Sequence, residues 1–85
     1  MTYRVDLGRS AERELRALPL TVKDRVAATL QRLADDPKPH GARKLAYGPG
    51  WRVRVGDYRV LYSIDDEAGL VAVFAIGHRR EVYRR

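Results

Sequence analysis

No cysteine occurs among the 85 residues. Disulfide staples and thiolate nucleophiles are therefore excluded, and a reducing cytoplasm is the expected setting. No apolar run is long enough to span a bilayer, and MTYRVDLGRS at the N-terminus lacks the apolar segment of a secretion signal, so no membrane association is expected. The glycine patterns of P-loops and dinucleotide-binding turns are missing, as is a nucleophile elbow. Two histidines far apart in the chain, His40 and His78, without cysteines, do not make a zinc site. No metal and no cofactor is expected. Acidic residues are in short supply, 11 against 17 Lys and Arg, for a net charge of +6 and a sequence pI near 10.2.

What is present is a chain of ordinary apolar content, 45% hydrophobic, which fits one globular domain over residues 1–85 with a single modest core. The positive charge is uneven. Residues 1–42 hold eight basic against six acidic residues, and residues 43–85 hold nine against five, three of the latter together at Asp65-Asp66-Glu67. Such a balance favours a polyanionic partner, nucleic acid or an acidic protein, beside the plainer reading that arginines keep a small protein soluble.

TYRVDL (2–7) alternates like a short strand. Ser10 is placed to cap a helix with apolar positions at Ala11, Leu15 and Leu18, and Pro19 ends it. Thr21 is a second capping candidate, and Val22, Val26, Leu30 and Leu33 keep helical period to the Asp35-Asp36-Pro37 stop. DDPKPHG (35–41) is a loop, and ARKLAYGPG (42–50) reads as irregular with Leu45 tucked inwards. WRVRV and YRVLY flank the two-residue turn Gly56-Asp57 as a β-hairpin, DDEAG (65–69) is a second turn, and LVAVFAI (70–76) suits a central strand covered on both faces. Helices followed by strands indicate an α+β layer pair.

The hairpin carries the first functional signal. If Gly56-Asp57 forms the turn, Val55 opposes Tyr58, Arg54 opposes Arg59, Val53 opposes Val60 and Trp51 opposes Tyr62. One face then holds the apolar residues, and the other holds Arg52, Arg54 and Arg59. Like charges set opposite one another repel, and an anion between them relieves the repulsion; the planar guanidinium fork matches phosphate oxygens. From the hairpin alone, arginines splayed on a solvent face remain an equal reading. GHRREVY (77–83) adds His78, Arg79, Arg80, Glu81 and Tyr83 directly after the core strand. There a histidine can move protons near neutral pH and a tyrosine can stack on a base, although a strand-end histidine bonded to backbone is the commoner case. His40 reads as an ordinary surface residue, and Asp65-Asp66-Glu67 as a solvated turn.

KLAYGPGWRVRVGDYRVLYSIDDEAGLVAVFAIGHRREVYRR (44–85) resembles the RelE/ParE superfamily of type II toxin–antitoxin toxins, in its RelE branch. The likeness rests on Lys44-Leu45, the hairpin, the acidic turn and IGHRREVY, and SAERELRALP with its following helix extends it to the whole chain. The resemblance implies a RelE-like α+β fold, an N-terminal strand and helical hairpin packed on a curved, mainly antiparallel four-stranded sheet. It implies a ribosome-dependent mRNA endonuclease, metal-independent and cytoplasmic, acting in the ribosomal A site and neutralised by a cognate RelB-like antitoxin in a hetero-oligomer. Carried over by position, Arg59 matches a phosphate-contacting arginine, Arg79 a second catalytic arginine and Tyr83 a near-terminal tyrosine. Arg52 and Arg54 stand where well-studied members have lysines. Arginine is a poor general base, which leaves His78 and Glu81 as candidates for proton transfer. Arg52, Arg54, Lys44 and Arg80 are the expected RNA contacts. A ParE-like inhibitor of DNA gyrase and a non-catalytic basic module binding RNA or antitoxin are the alternatives.

Overall fold

The computed structural model describes residues 2–82 of the chain. The elements are β1 (Arg4–Leu7), α1 (Arg9–Ala17), α2 (Leu20–Asp35), β2 (Arg43–Lys44), β3 (Trp51–Val55), β4 (Tyr58–Asp65) and β5 (Leu70–His78). The strands form one sheet in the order β1-β5-β4-β3-β2. All neighbours are antiparallel except β1, which runs parallel to β5 after the helical crossover. The expected α+β class is found, with five strands in place of four. The additional strand is β2, which pairs Arg43 with Arg52 and Lys44 with Trp51. Two adjacent charged residues carry no apolar period, so nothing in the sequence separates them from loop.

Both helices start earlier than side-chain capping suggests. Gly8, not Ser10, is the N-cap of α1: its N–H donates to the Val73 carbonyl at 2.9 Å and its carbonyl accepts from Glu12 N–H at 2.9 Å. The last hydrogen bond of β1 thus delivers the chain directly into the helix. Pro19, not Thr21, is the N-cap of α2, and its carbonyl accepts from Lys23 N–H at 2.8 Å. The proline holds Leu18 extended, so a two-residue link suffices between the helices.

The helices cover one face of the sheet. Val26, Leu30 and Leu33 of α2 and Ala11 of α1 pack on Val53, Val55, Val60, Tyr62, Val71, Val73 and Ile76. Each fully buried aliphatic side chain contributes roughly 1.5–3 kcal/mol relative to exposure. β5 is central, between β1 and β4, but it is not covered on both faces as its apolar run suggests. Between the pairs Tyr62↔Val73 and Leu61↔Ala75 the register skips Phe74, a bulge that leaves this ring 44% exposed. Past the bulge, Ala75 joins Leu61, Val82 and Leu45 in a small second cluster on the far face.

Candidate nucleic-acid interface

The β3–β4 register is the one the turn demands: Trp51↔Tyr62, Arg52↔Leu61, Val53↔Val60, Arg54↔Arg59 and Val55↔Tyr58. Val53, Val55, Val60 and Tyr62 lie in the core, so Arg52, Arg54 and Arg59 share the opposite face. β2 adds Arg43 to it, because Arg43 opposes Arg52. Lys44, an expected RNA contact, opposes Trp51 and so turns to the helix side, away from the arginines. Arg43 escapes a reading of the sequence for the same reason that β2 does.

Arg59 is the most unusual residue of the face. It is 9% exposed and is the buried charged residue among those described. Its Nη1 donates to the carbonyl of Tyr58 at 3.4 Å, a long bond. The ion pairs among the described residues are Arg4–Asp6 and Arg16–Glu12, so no carboxylate there neutralises Arg59, Arg52 or Arg54. Across β5, Arg59 opposes Gly77, which has no side chain to crowd the arginine stem. Arg52, Arg54, Arg59, Leu45 and Ala46 line an open cavity of about 320 Å³. A desolvated cation without a counter-charge is costly, and an anion in this cavity offsets that cost.

Leu45 lines this cavity and is held by Gly50. Leu45 N–H donates to the Gly50 carbonyl at 3.0 Å, closing the loop between β2 and β3. Gly50 has φ of 133°, a left-handed region that favours glycine, and an added Cβ would lie 3.0 Å from Leu45 Cδ1 and 3.2 Å from the Tyr62 carbonyl oxygen.

The C-terminal candidates divide. Cross-strand pairing puts His78 opposite Tyr58, on the helix side, with their rings edge to face at a centroid distance of 5.5 Å. The bulge at Phe74 causes this. Were Phe74 paired with Leu61 in regular register, Gly77 would oppose Tyr58 and His78 would turn towards Arg59. His78 Nδ1 accepts from Arg80 N–H at 3.2 Å, which assigns the proton of the neutral ring to Nε2. His78 and Glu81 line a separate cavity of about 280 Å³ with Tyr58 and Glu14 at the end of β5. Arg79 is exposed, and its N–H donates to the Asp57 carbonyl at 2.8 Å, so strand alternation sets it towards the Arg59 side. Arg80 is exposed in the turn that follows. Tyr83 lies outside the described residues. Among the described residues, no three His, Asp or Glu side chains converge as a metal-binding group. Asp65 and Asp66 serve the turn: Asp65 Oδ1 accepts from Ala68 N–H at 3.0 Å, and Asp66 Oδ1 accepts from the Tyr3 hydroxyl at 2.6 Å.

The class so defined is a small α+β protein in which two helices back a mixed sheet and the opposite sheet face is basic. The family model described as the ParE toxin of type II toxin–antitoxin systems matches residues 5–83. The chain belongs to this toxin family, within the RelE/ParE superfamily. It is similar to Toxin RelG of Mycobacterium tuberculosis, 35% identical over 92 aligned positions that cover 100% of both chains. Among solved structures it resembles the toxin–antitoxin complex RelBE2 of Mycobacterium tuberculosis, with a TM-score of 0.83, 28% identity and 95% of each chain covered. It also resembles the archaeal RelE–RelB complex of Pyrococcus horikoshii, with a TM-score of 0.82, 28% identity and coverage of 96% of this chain and 100% of that one.

Proposed function

We propose that this toxin is a ribosome-dependent mRNA endonuclease of the RelE type, silenced by a cognate RelB-like antitoxin. The observation that carries the proposal is Arg59, nearly buried and without a carboxylate partner among the described residues, facing a cavity it shares with Arg52 and Arg54. In the reaction, the ribose 2′-hydroxyl attacks the adjacent phosphorus. The P–O bond to the next nucleotide breaks, leaving a cyclic phosphate and a free 5′-hydroxyl. The hydroxyl proton leaves the nucleophile, and a proton reaches the departing oxygen. Arg59 and Arg54, with Arg52 and Arg79, stabilise the charge that develops on the phosphate. Tyr83 orients the substrate. His78 and Glu81 are the candidates for moving the protons, and they line the separate cavity at the end of β5 and not the Arg59 cavity. No step calls for a metal ion.

The names RelE and RelG among the similar proteins support this branch, and the acidic partner implied by the basic face supports an antitoxin. The match to the ParE family model is the specific observation behind a second reading, a gyrase inhibitor that cuts no RNA. Ribosomes programmed with a 2′-deoxynucleotide at the cleaved position decide the nucleophile. The deoxy message should remain intact while the ribose message is cut. Cutting of both excludes attack by the 2′-hydroxyl, and cutting of neither moves the test to DNA supercoiling by gyrase.

A further inference from the structure

The arginine face does not stop at the edge of the sheet. β2 pairs only as far as Arg52, so the edge of β3 is open beside Arg54. On the helix side of that edge lies a cavity of about 300 Å³ between α2 and the β3–β4 turn, bordered by Arg25, Arg32, Arg54, Thr29 and Gly56. Arg25 and Arg32 are seven residues apart, about two turns of α2, and so project on one side of the helix. The Arg25 guanidinium lies over the turn: a Cβ at Gly56 would sit 3.1 Å from its Nη1. Thr29 Oγ1 donates to the Arg25 carbonyl at 3.0 Å. Asp24, Asp35, Asp36 and Asp57 are the nearest acids in sequence, Asp35 and Asp36 one turn beyond Arg32, and among the described residues none forms an ion pair with these guanidiniums. Arg54 borders this cavity, the Arg59 cavity and a third of about 220 Å³ lined with Arg43 and Arg52. The cavities therefore form one arginine track from the sheet face, around the β3 edge, to α2.

We propose that the cavity of Arg25, Arg32 and Arg54 is a second phosphate-binding site, which takes a phosphodiester of RNA beside the one engaged at Arg59. The proposal rests on the RNA reading above. Three arginines from two elements border one cavity, none of them ion-paired among the described residues, and a phosphate bound between them reduces their mutual repulsion. Arg25 and Arg32 are exposed on a helix and do not line the Arg59 cavity. They serve as grip and register for the strand and not as catalytic residues. The phosphate comes either from the cleaved strand itself or from ribosomal RNA, and the chemistry of the site is the same for both.

The test uses the isolated toxin with the double variant Arg25→Ala/Arg32→Ala, which keeps good helix formers on an exposed surface. Binding is measured against salt for a short single-stranded RNA and for vacant ribosomes. The expected result is affinity lower by about tenfold and a salt slope smaller by about 0.7 for each phosphate no longer neutralised. Weakened binding of the short RNA assigns the site to the cleaved strand, and weakened binding of ribosomes alone assigns it to ribosomal RNA. The Arg25→Lys/Arg32→Lys variant should restore most of the slope. Unchanged affinity and slope with both probes overturn the proposal, as does an effect confined to antitoxin binding. The Arg59→Ala protein separates this site from the endonuclease reading. If wild type cuts no RNA while binding still depends on Arg25 and Arg32, the endonuclease fails and the phosphate site stands.

Discussion

Arg59 and Tyr62 are both nearly inaccessible to solvent, three residues apart on β4 and on opposite faces of the sheet, and their chemistry differs accordingly. Arg59 keeps a permanent charge and looks outwards to a cavity that an anion can enter. Tyr62 is neutral and satisfied: its hydroxyl donates to the Pro37 carbonyl at 2.7 Å. Burial, with a further contribution from Asp36, pushes the Tyr62 phenol from its ordinary 10.0 up to about 12. Above pH of about 10 the unfolded chain releases this proton while the folded one retains it, so the unfolded state binds fewer protons and stability falls with rising pH. The contribution of Tyr62 is fully present below pH of about 10 and is lost between about 10 and 12. Tyr62→Phe should flatten that alkaline limb in unfolding titrations while lowering stability at neutral pH by about 1–3 kcal/mol, because the Pro37 carbonyl loses its donor. An alkaline limb of the same steepness in Tyr62→Phe would assign it to other groups.

At the scale of elements, the arginine face depends on three local devices. The Gly56-Asp57 turn sets the β3–β4 register, and this is legible in the sequence because alternation and turn chemistry agree there. The helical hairpin is legible for the same kind of reason, with Pro19 placed where the helical period breaks. The bulge at Phe74 is not legible, since LVAVFAI is apolar throughout and an inserted residue leaves no break in such a run. That shift in register decides which face His78 joins. The loop between β2 and β3 has no period to read, and its role becomes clear only from the approach of Leu45 to Gly50. Gly50→Ala should cost about 1–3 kcal/mol, from a backbone angle that side chains rarely adopt and a Cβ against Leu45 and the Tyr62 carbonyl. Thermal unfolding measures it. A change below about 0.5 kcal/mol would show that the loop relaxes freely and that Leu45 is not held against the arginine cavity.

Taken whole, the molecule segregates its functions by layer. Two helices and the inner sheet face supply the core, and the outer face and the β3 edge collect arginines that the described residues leave uncompensated. The net charge of +6 points to a polyanion from the sequence, but the location of that charge cannot be read from it. Arg25 and Arg32 lie in a helix whose apolar period explains the segment completely, and only the tertiary arrangement brings them to Arg54. The toxin family follows from the fold and the sequence comparisons, and the arginine face is the part of the molecule proposed to act on RNA. That claim is met most directly by primer extension on cellular mRNA after induction of the toxin without its antitoxin, beside an Arg59→Ala control. Translation-dependent cuts inside reading frames are expected for the wild type, reduced by about 10²–10³-fold in the control. Growth arrest with intact messages, or cuts that persist undiminished in Arg59→Ala, would contradict the assignment of this face to mRNA cleavage.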